Sequence, residues 1–396
     1  MSYKKWVNAE IDKAKASALS EKLNIDAFVA FLLVSRGIDD ELAASEFLSD
    51  GCRFSSPYLL KDMDKAVKRI NRALDDGESI CIYGDYDCDG VTSTALLYTF
   101  LSALGGFVSY YIPNRATDGY GMNFKAIDKI KADGTDLIIT VDNGISSIEE
   151  AEYIYSLGMQ LIVTDHHQIG ENLPRAEAVI NPHREDNEIE FRDFAGVGVA
   201  FKLACALYDG DVEDLLEDYA DYVTIGTIGD MVPLLNENRA IVKSGLKLIN
   251  TDAKIGISAL KKSTNSKAEH FSATDVAFQI CPRINAAGRM DTANLAVDLL
   301  TCEDNEIAEY KAEQLNLENT HRHEVEEKID KDIAEIMAND RAYQTDRVIV
   351  VAGHNYHKGV IGICAAHLVE LYSKPAIVIG IDDEGNATGS ARSIDG

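Results

Sequence analysis

The sequence predicts an α/β protein, with a mainly parallel sheet flanked by helices, a helical connector, and the start of a second, smaller α/β domain. Three observations carry this reading. Four short apolar runs, at 79–83, 106–112, 137–141 and 161–164, are separated by stretches of helical length such as 92–104 and 147–157. Strands alternating with helices build parallel sheets, because each crossover helix packs back on the sheet it left. From about Phe201 to Asp340 the pattern turns helical, and beyond it 347–352, 360–372 and 376–381 repeat strand, helix and strand.

In chain order, residues 1–55 read as an N-terminal helical segment, because 25–47 is rich in Ala, Leu and Phe; a loop follows at 51–57. Apolar residues at helical spacing over 62–74, stopped by Asp76-Gly77, predict the helix that leads into the sheet. Residues 56–250 then form the main domain. Residues 251–340 form a helical region whose last part, 305–338, is long, charged and periodic, as suits a connecting helix between domains. Residues 341–396 form part of the second domain. The chain stops in or just after a strand-like segment, which leads us to expect a fragment of a longer protein.

Composition bounds the function. A length of 396 residues allows two or three domains, and 46% hydrophobic with 26% charged residues is ordinary for a globular chain. No run of 18 apolar residues is present, which argues against a membrane span. The charged stretch 1–15 lacks the apolar core of a secretory signal. Seven dispersed cysteines, none in a CxxC pair, read as free thiols of a reducing cytoplasm. The net charge of −28 argues against a protein that coats duplex DNA by its phosphates. It says little against one basic groove, and carboxylates that hold cations reverse the local sign.

The chemistry-bearing residues fall at strand ends. The run at 79–83 leads into Gly84-Asp85-Tyr86-Asp87-Cys88-Asp89-Gly90, that at 137–141 into Asp142-Asn143-Gly144, and that at 161–164 into Asp165-His166-His167. Parallel sheets bind ligands at the carboxyl ends of their strands. Three strands therefore bring Asp85, Asp87, Asp142, Asp165, His166 and His167 to one edge. Converging carboxylates repel unless a cation neutralises them, and mixed Asp and His donors favour Mn²⁺, Fe²⁺ or Zn²⁺ over calcium. A calcium loop of the EF-hand type needs a Glu six residues after its Gly, where Leu96 stands here. Taken singly, a strand-end Asp-Asn-Gly is a turn and a His-His pair is structural. Their repetition at three strand ends is what points to a metal.

Two further segments are candidates. Asp230 ends an apolar helical stretch shortly before Pro233, a helix C-terminus that could add a ligand. The segment Cys281-Pro282-Arg283-Ile284-Asn285-Ala286-Ala287-Gly288-Arg289-Met290 sets two arginines and an amide among small residues. It reads equally as a phosphate-binding element and as a loop held by ordinary salt bridges.

These residues, in this order, resemble the DHH phosphoesterase superfamily, with Asp165-His166-His167 as its name-giving motif, Asp85 to Gly90 as its first motif, Asp142 as its second and Asp230 as its fourth. Within it the chain resembles the RecJ family. Tyr111-Ile112-Pro113-Asn114-Arg115, Gly119-Tyr120-Gly121, Asn181-Pro182-His183, Arg283 to Arg289, His357-Lys358-Gly359-Val360-Ile361-Gly362 and Gly389-Ser390-Ala391-Arg392-Ser393 are similar to its segments, from about Leu60 to the last residue. The resemblance makes 56–250 the DHH catalytic domain and 341–396 part of a DHHA1-like substrate-binding domain. It implies two divalent cations, Mn²⁺ first and Mg²⁺ second, held by Asp85, Asp87, Asp142, His166 and Asp230, with Asp142 bridging. His167 would lie over the scissile phosphate, and Asp165 would orient the histidines from behind. Arg283, Asn285, Arg289, Lys358, Ser390 and Arg392 would hold the strand or its phosphates.

The implied activity is hydrolysis of single-stranded DNA from the 5′ end, in recombination and repair, in the cytoplasm and away from membranes. Single-strand-binding protein and a RecQ-like helicase are the implied partners. The chain ends before the family's GGH motif and OB-like domain, and position 367 is His where the family carries Arg. The alternatives are a DHH phosphoesterase for small substrates (nanoRNA, cyclic dinucleotides or pyrophosphate) and a non-catalytic scaffold of the same fold. The complete set of acids and histidines speaks against a scaffold.

Overall fold

The computed structural model describes residues 10–49, 54–115, 119, 121–340 and 342–394. Cys52, the first part of the loop expected at 51–57, Tyr120, and both chain ends lie outside the described residues.

Three helices open the chain, α1 (Lys13–Leu23), α2 (Ala27–Ser35) and α3 (Glu41–Leu48), gathered on a small core of Leu19, Ala30, Leu33, Ile38 and Ala44. Each begins at an aspartate, Asp12, Asp26 or Asp40, whose carboxylate accepts first-turn N–H groups that have no helical partner. The chain then enters α4 (Met63–Asp76), ended by Gly77 in the left-handed region.

Next comes the strand–helix alternation: β1 (Ser79–Tyr83), α5 (Cys88–Ala103), β2 (Phe107–Tyr111), α6 (Phe124–Ala132), β3 (Leu137–Val141), α7 (Ile148–Ser156), β4 (Gln160–Thr164) and β5 (Ala178–Ile180). All five strands are parallel, in the order β2-β1-β3-β4-β5. The chain reverses its direction of travel across the sheet at β1, so the crevice beyond the ends of β1 and β3 is the topological switch point. Side chains alternate between faces with period two. Ile80, Ile82, Leu137, Ile139 and Ile162 enter the larger core, while Cys81, Tyr83, Ile138, Leu161 and Val163 enter a second one with Ile127, Ile130 and Ile154. Both faces are covered, which is why these strands read as unbroken apolar runs.

The helical region comprises α8 (Gly196–Leu207), α9 (Val212–Gly229), α10 (Asn236–Thr251), α11 (Ile255–Ser263), α12 (Ala273–Asp275), α13 (Cys281–Met290), α14 (Asn294–Leu300) and α15 (Asn305–Asn339). The 35-residue helix α15 joins two cores. Ala308, Ala312 and Leu315 belong to that of the first sheet, whereas Ile329, Ile333 and Met337 pack under the second. After α16 (Ala342–Thr345), β6 (Ile349–His354), α17 (Ile361–Tyr372), β7 (Ala376–Ile381) and β8 (Ala387–Arg392) form a three-stranded sheet, β6 parallel and β8 antiparallel to β7.

Two local features differ from the sequence reading. The segment 281–290, for which a loop was one of two alternatives, is a helix: Pro282 occupies the first turn, where its missing N–H costs nothing. Strand β5 has three residues, too few for periodicity to mark.

Ile139, fully buried at the centre of the sheet, is a suitable probe of the core that positions the strand ends. Ile139→Ala should lower stability by about 2–5 kcal/mol, read from the midpoint of urea unfolding. A change within experimental error would show that the sheet is not packed as described.

Candidate metal centre

Each candidate ligand stands where a regular element ends. Asp85 and Asp87 follow β1, and Asp87 is the N-cap of α5, its Oδ1 accepting the N–H groups of Asp89 and Gly90 at 3.0 Å each. Asp142 follows β3 with φ of +60°, a left-handed conformation that costs a non-glycine residue and persists only where surrounding structure imposes it. The N-terminus of α8 presses against it: a Cβ added to Gly196 would lie 2.6 Å from Asp142 Cβ, so only glycine fits. Asp165 and His166 follow β4, and Asp230 is the C-cap of α9. The residue after it, Met231, has φ of +57°, so the helix ends before Pro233 can act on it.

The folded chain brings all of these together. The Nε2 of His166 lies 3.0 Å from Asp142 Oδ1, 3.7 Å from Asp89 Oδ2 and 3.8 Å from Asp230 Oδ2. Donor atoms of Asp85, Asp87 and Asp142 fall within 4.8 Å of one another, as do those of Asp142, His166 and His167, and those of Asp89, His166 and Asp230. Asp142 thus belongs to two of these sets. Asp85, Asp89 and Asp142 are at most 3% exposed. Asp85 Oδ1, Asp142 Oδ1 and His166 Nε2 are buried without a hydrogen-bond partner, the last two being 3.0 Å apart but not aligned for a bond. Orphaned buried acceptors of this kind are costly unless a ligand takes them up, and cations held in the Asp85–Asp87–Asp142 and Asp142–His166–His167 sets would satisfy them. The donor set therefore fits divalent cations.

Asp165 has a different task. Its Oδ1 accepts the backbone N–H groups of His166 and His167 at 2.7 and 3.0 Å and faces His167 Nδ1 at 2.7 Å, while Oδ2 accepts the Ile145 N–H at 2.9 Å. It fixes the turn that carries both histidines and the ring of His167. The His166 ring is placed by its acidic neighbours instead.

The electrostatics follow from burial and crowding. Burial, then the charge of Asp87, pushes Asp85 up to about 7 and Asp230 up to about 6. Asp142 and Asp89 are pushed well up, first by burial and then by neighbouring aspartates. Burial brings His166 down to about 4, leaving a neutral imidazole with a lone pair to offer. His167 moves the other way, because its hydrogen bond to Asp165 favours the charged form.

Asp89 is the residue the sequence reading missed. Its Oδ2 and Oδ1 accept the N–H groups of Gly196 and Val197 at 2.5 and 2.8 Å, docking the start of α8 against the site. The signal was present as the third acid of the Asp85-Tyr86-Asp87-Cys88-Asp89 run.

The arginine-bearing helix α13 approaches from the other side. A Cβ on Gly288 would lie 2.3 Å from the Tyr86 carbonyl oxygen, so glycine lets α13 touch the Asp85–Asp89 loop directly. Asn285 Oδ1 accepts the Cys88 N–H at 2.8 Å and so supports that loop. Arg283 donates to Asn316 and to the Gln279 carbonyl. Arg289 is half-buried beside Arg115, Arg322 and Asp87, and reaches across to the Gly359 carbonyl of the second sheet's loop at 3.1 Å. Burial, helped by the two other guanidiniums, brings it down to about 10. In the second sheet, Ser390 and Arg392 are hydrogen-bonded neighbours facing Gly362 at the start of α17. Lys358 is exposed in the preceding loop. His367 lies between Asp330 and Glu326 of α15, at 2.9 and 3.5 Å.

A parallel sheet whose strand ends and flanking helices cage acids and histidines in this way defines the DHH class, and the family model for the DHH family, N-terminal domain, matches residues 79–227. The single-stranded-DNA-specific exonuclease RecJ of Bacillus subtilis is 42% identical over 394 residues, covering 99% of this chain. That of Thermus thermophilus is 33% identical over 335 residues. A crystal structure of exonuclease RecJ bound to manganese superposes with a TM-score of 0.74 at 33% identity, over 86% of this chain and 84% of that one. The crystal structure of Thermus thermophilus RecJ in complex with Mn²⁺ gives a TM-score of 0.80 at 30% identity, over 97% and 54%. The chain belongs to the RecJ family. It spans 49% of the Bacillus subtilis relative and 48% of the Thermus thermophilus one.

Because Asp85 and Asp230 rise above their ordinary 3.8, folding favours their protonated forms. Ion-free protein should therefore lose stability as pH climbs from about 4 to about 7, and a cation that binds the deprotonated acids should restore it. The rise in Tm on adding Mn²⁺, followed by differential scanning fluorimetry, should grow across that window. A rise independent of pH would mean that Mn²⁺ binds elsewhere.

Proposed function

We propose that the chain is the catalytic part of a single-stranded-DNA-specific exonuclease that hydrolyses phosphodiester bonds from the 5′ end with two divalent cations, Mn²⁺ or Mg²⁺. The observation that carries this is the buried, unpartnered set of Asp85, Asp142 and His166 at the switch point. Asp85, Asp87, Asp142, His166 and Asp230 would hold the cations, with Asp142 shared between them, since it belongs to two of the three-donor sets. Asp89 joins His166 and Asp230 in another set and is added to the candidates. Bound there, the cations supply Lewis-acid stabilisation of the phosphoryl oxygens and activate water for in-line attack.

The chain's own residues do the rest. His167, raised by its bond to Asp165, can carry a proton and face the phosphoryl charge, and its side chain is 45% exposed toward an incoming strand. Arg289 joins the two sheets through Gly359 and adds positive charge beside Asp87. Ser390, Arg392 and the start of α17, with Lys358, would grip a phosphate of the strand. Asn285 would act by supporting the loop that carries Asp85 and Asp87, and Arg283 by joining α13 to α15. A cleft between two closely linked sheets suits a single strand better than a duplex.

We read 56–250 as the catalytic domain, 1–55 as a helical appendage, 251–340 as the connector and 341–396 as part of a DHHA1-like substrate domain. No helix among the described residues is long and apolar enough to cross a membrane. The cysteines described are unpaired, which supports the cytoplasm as the compartment. A role in recombination and repair, beside single-strand-binding protein and a RecQ-like helicase, rests on family resemblance.

With Mn²⁺, DNA labelled at its 5′ end should release labelled mononucleotide at once, and 3′-labelled strands only at the end of the reaction. Asp142→Ala should lower cleavage by at least about 10³-fold, as loss of a shared metal ligand removes several kcal/mol of transition-state stabilisation, with the circular dichroism spectrum unchanged. Full activity in that variant removes the shared-ligand role. Faster hydrolysis of dinucleotides or pyrophosphate than of long strands favours the small-substrate alternative.

A further inference from the structure

Helix α7 begins with Ser147-Ile148-Glu149-Glu150, the S-x-x-E pattern that ordinarily closes as a capping box. A box of this kind does close at α12, where Ser272 Oγ accepts the Asp275 N–H at 3.3 Å and Asp275 Oδ2 accepts the Ser272 N–H at 2.8 Å. At α7 it stays open. Ser147 has ψ of 66° instead of the extended value of an ordinary N-cap, and makes no capping bond. Among the described residues its hydroxyl has no partner, nor do the N–H groups of Glu149 and Glu150. Ser147 is 7% exposed, so what solvent its idle hydroxyl meets is confined to the space it faces.

The open cap lines a cavity of about 240 Å³, whose walls include Gly121, Ser147, Glu150, Gln168, Asp165 and His167. The cavity therefore adjoins the candidate metal centre through Asp165 and His167. Its volume lies below the ~300–1,000 Å³ of pockets that take whole drug-sized ligands, so it has room for one ring system and not for a run of nucleotides. Its chemistry is mixed: the Ser147 hydroxyl and the idle amides donate, and the Glu150 carboxylate accepts. Glu150 would repel a phosphate. A neutral group with both acceptors and N–H donors on one edge satisfies the whole set.

We infer that this cavity is a nucleobase subsite, holding the base of a nucleotide next to the scissile phosphate. The inference rests on the exonuclease reading above and adds to it a specific contact. The base edge replaces the missing capping box: its acceptors take the Ser147 hydroxyl and the first-turn amides, and its amino group donates to Glu150. Adenine, cytosine and guanine, which present amino groups, satisfy Glu150, whereas thymine offers only a ring N–H.

The test uses short 5′-phosphorylated single strands with Mn²⁺, each carrying either a base or a tetrahydrofuran abasic residue at one of the positions flanking the first scissile bond. For the wild-type chain, loss of the base at one of these positions should lower kcat/KM about tenfold, the worth of one or two hydrogen bonds. Ser147→Val, which fills the cavity and removes the donor, should lose about as much on base-bearing strands and little more on abasic ones. Glu150→Gln should narrow the preference for adenine or cytosine over thymine. Wild-type indifference to the abasic residue at both positions, or an equal abasic penalty in wild type and Ser147→Val, overturns the subsite. Should Ser147→Val not fold, Ser147→Ala and Glu150→Gln carry the same comparison. Fluorescence anisotropy of the same labelled strands without metal reads base dependence apart from cleavage. A chain that cuts nothing refutes the exonuclease reading, while base-dependent binding that Ser147→Ala removes still upholds the subsite, and base-independent binding overturns it.

Discussion

The constraint on which the rest of the structure depends is electrostatic. Asp85, Asp89 and Asp142 are buried, the first and last with donor atoms within 4.8 Å of each other and of Asp87, and Asp89 within 4.8 Å of His166 and Asp230, in a region where each charge raises the cost of the next. Left to themselves such groups would protonate or move apart, and the upward shifts of Asp85, Asp89, Asp142 and Asp230 record that tendency. The scaffold holds them in place by means that do not need the cation. The sheet's core fixes the strand ends, Asp87 caps α5, Asp89 docks α8, and Gly196 leaves Asp142 no other room. The site is pre-organised against its own repulsion, which is the arrangement expected where a cation is to be bound tightly and oriented.

The same logic accounts for the division of labour between the two histidines. His166 faces acids with an orphaned nitrogen and is kept neutral by burial. His167 lies against Asp165, which raises its affinity for a proton while leaving much of its ring exposed. Two adjacent residues of one type thus acquire opposite protonation preferences from their surroundings. The acidity of the whole chain is likewise a poor guide to its interior. Within a net charge of −28, Arg115 and Arg322 lie close enough to Arg289 to add to the effect of burial in weakening its hold on a proton. A local basic wall beside an acidic cage can coexist with an acidic surface, because charges in solvent are screened over a Debye length and buried ones are not.

Helix α15 links the two halves mechanically. Its first part shares the core of the five-stranded sheet and its last part that of the three-stranded one. Arg322, midway along it, donates to Glu326, whose other oxygen faces His367 of α17. With the Arg289–Gly359 hydrogen bond, this gives the second sheet two separate attachments to the first. A substrate lying between them would meet a cleft of limited width, as the proposed preference for single strands requires.

Much of this was legible in the sequence. The strands and helices of the first sheet followed from apolar period and length, and the placement of Asp85, Asp142 and Asp165-His166-His167 at one edge followed from the rule for parallel sheets. Those residues sit at element ends, where local chemistry and topology point the same way. What the sequence could not determine depended on contacts between elements distant in the chain. Asp89 is bound to residues more than 100 positions away, and no local pattern separates it from Asp87. The segment 281–290 became a helix because it packs against the loop of Asp85 to Asp89 and against α15, although its own composition allowed a loop. The open cap of Ser147 contradicts its local signature, and it follows a turn in which Asp165, from another strand end, accepts the Ile145 N–H. Period and propensity determine which elements form. Which buried polar atoms are left without a partner, and so await a ligand, is decided only once the whole chain has packed.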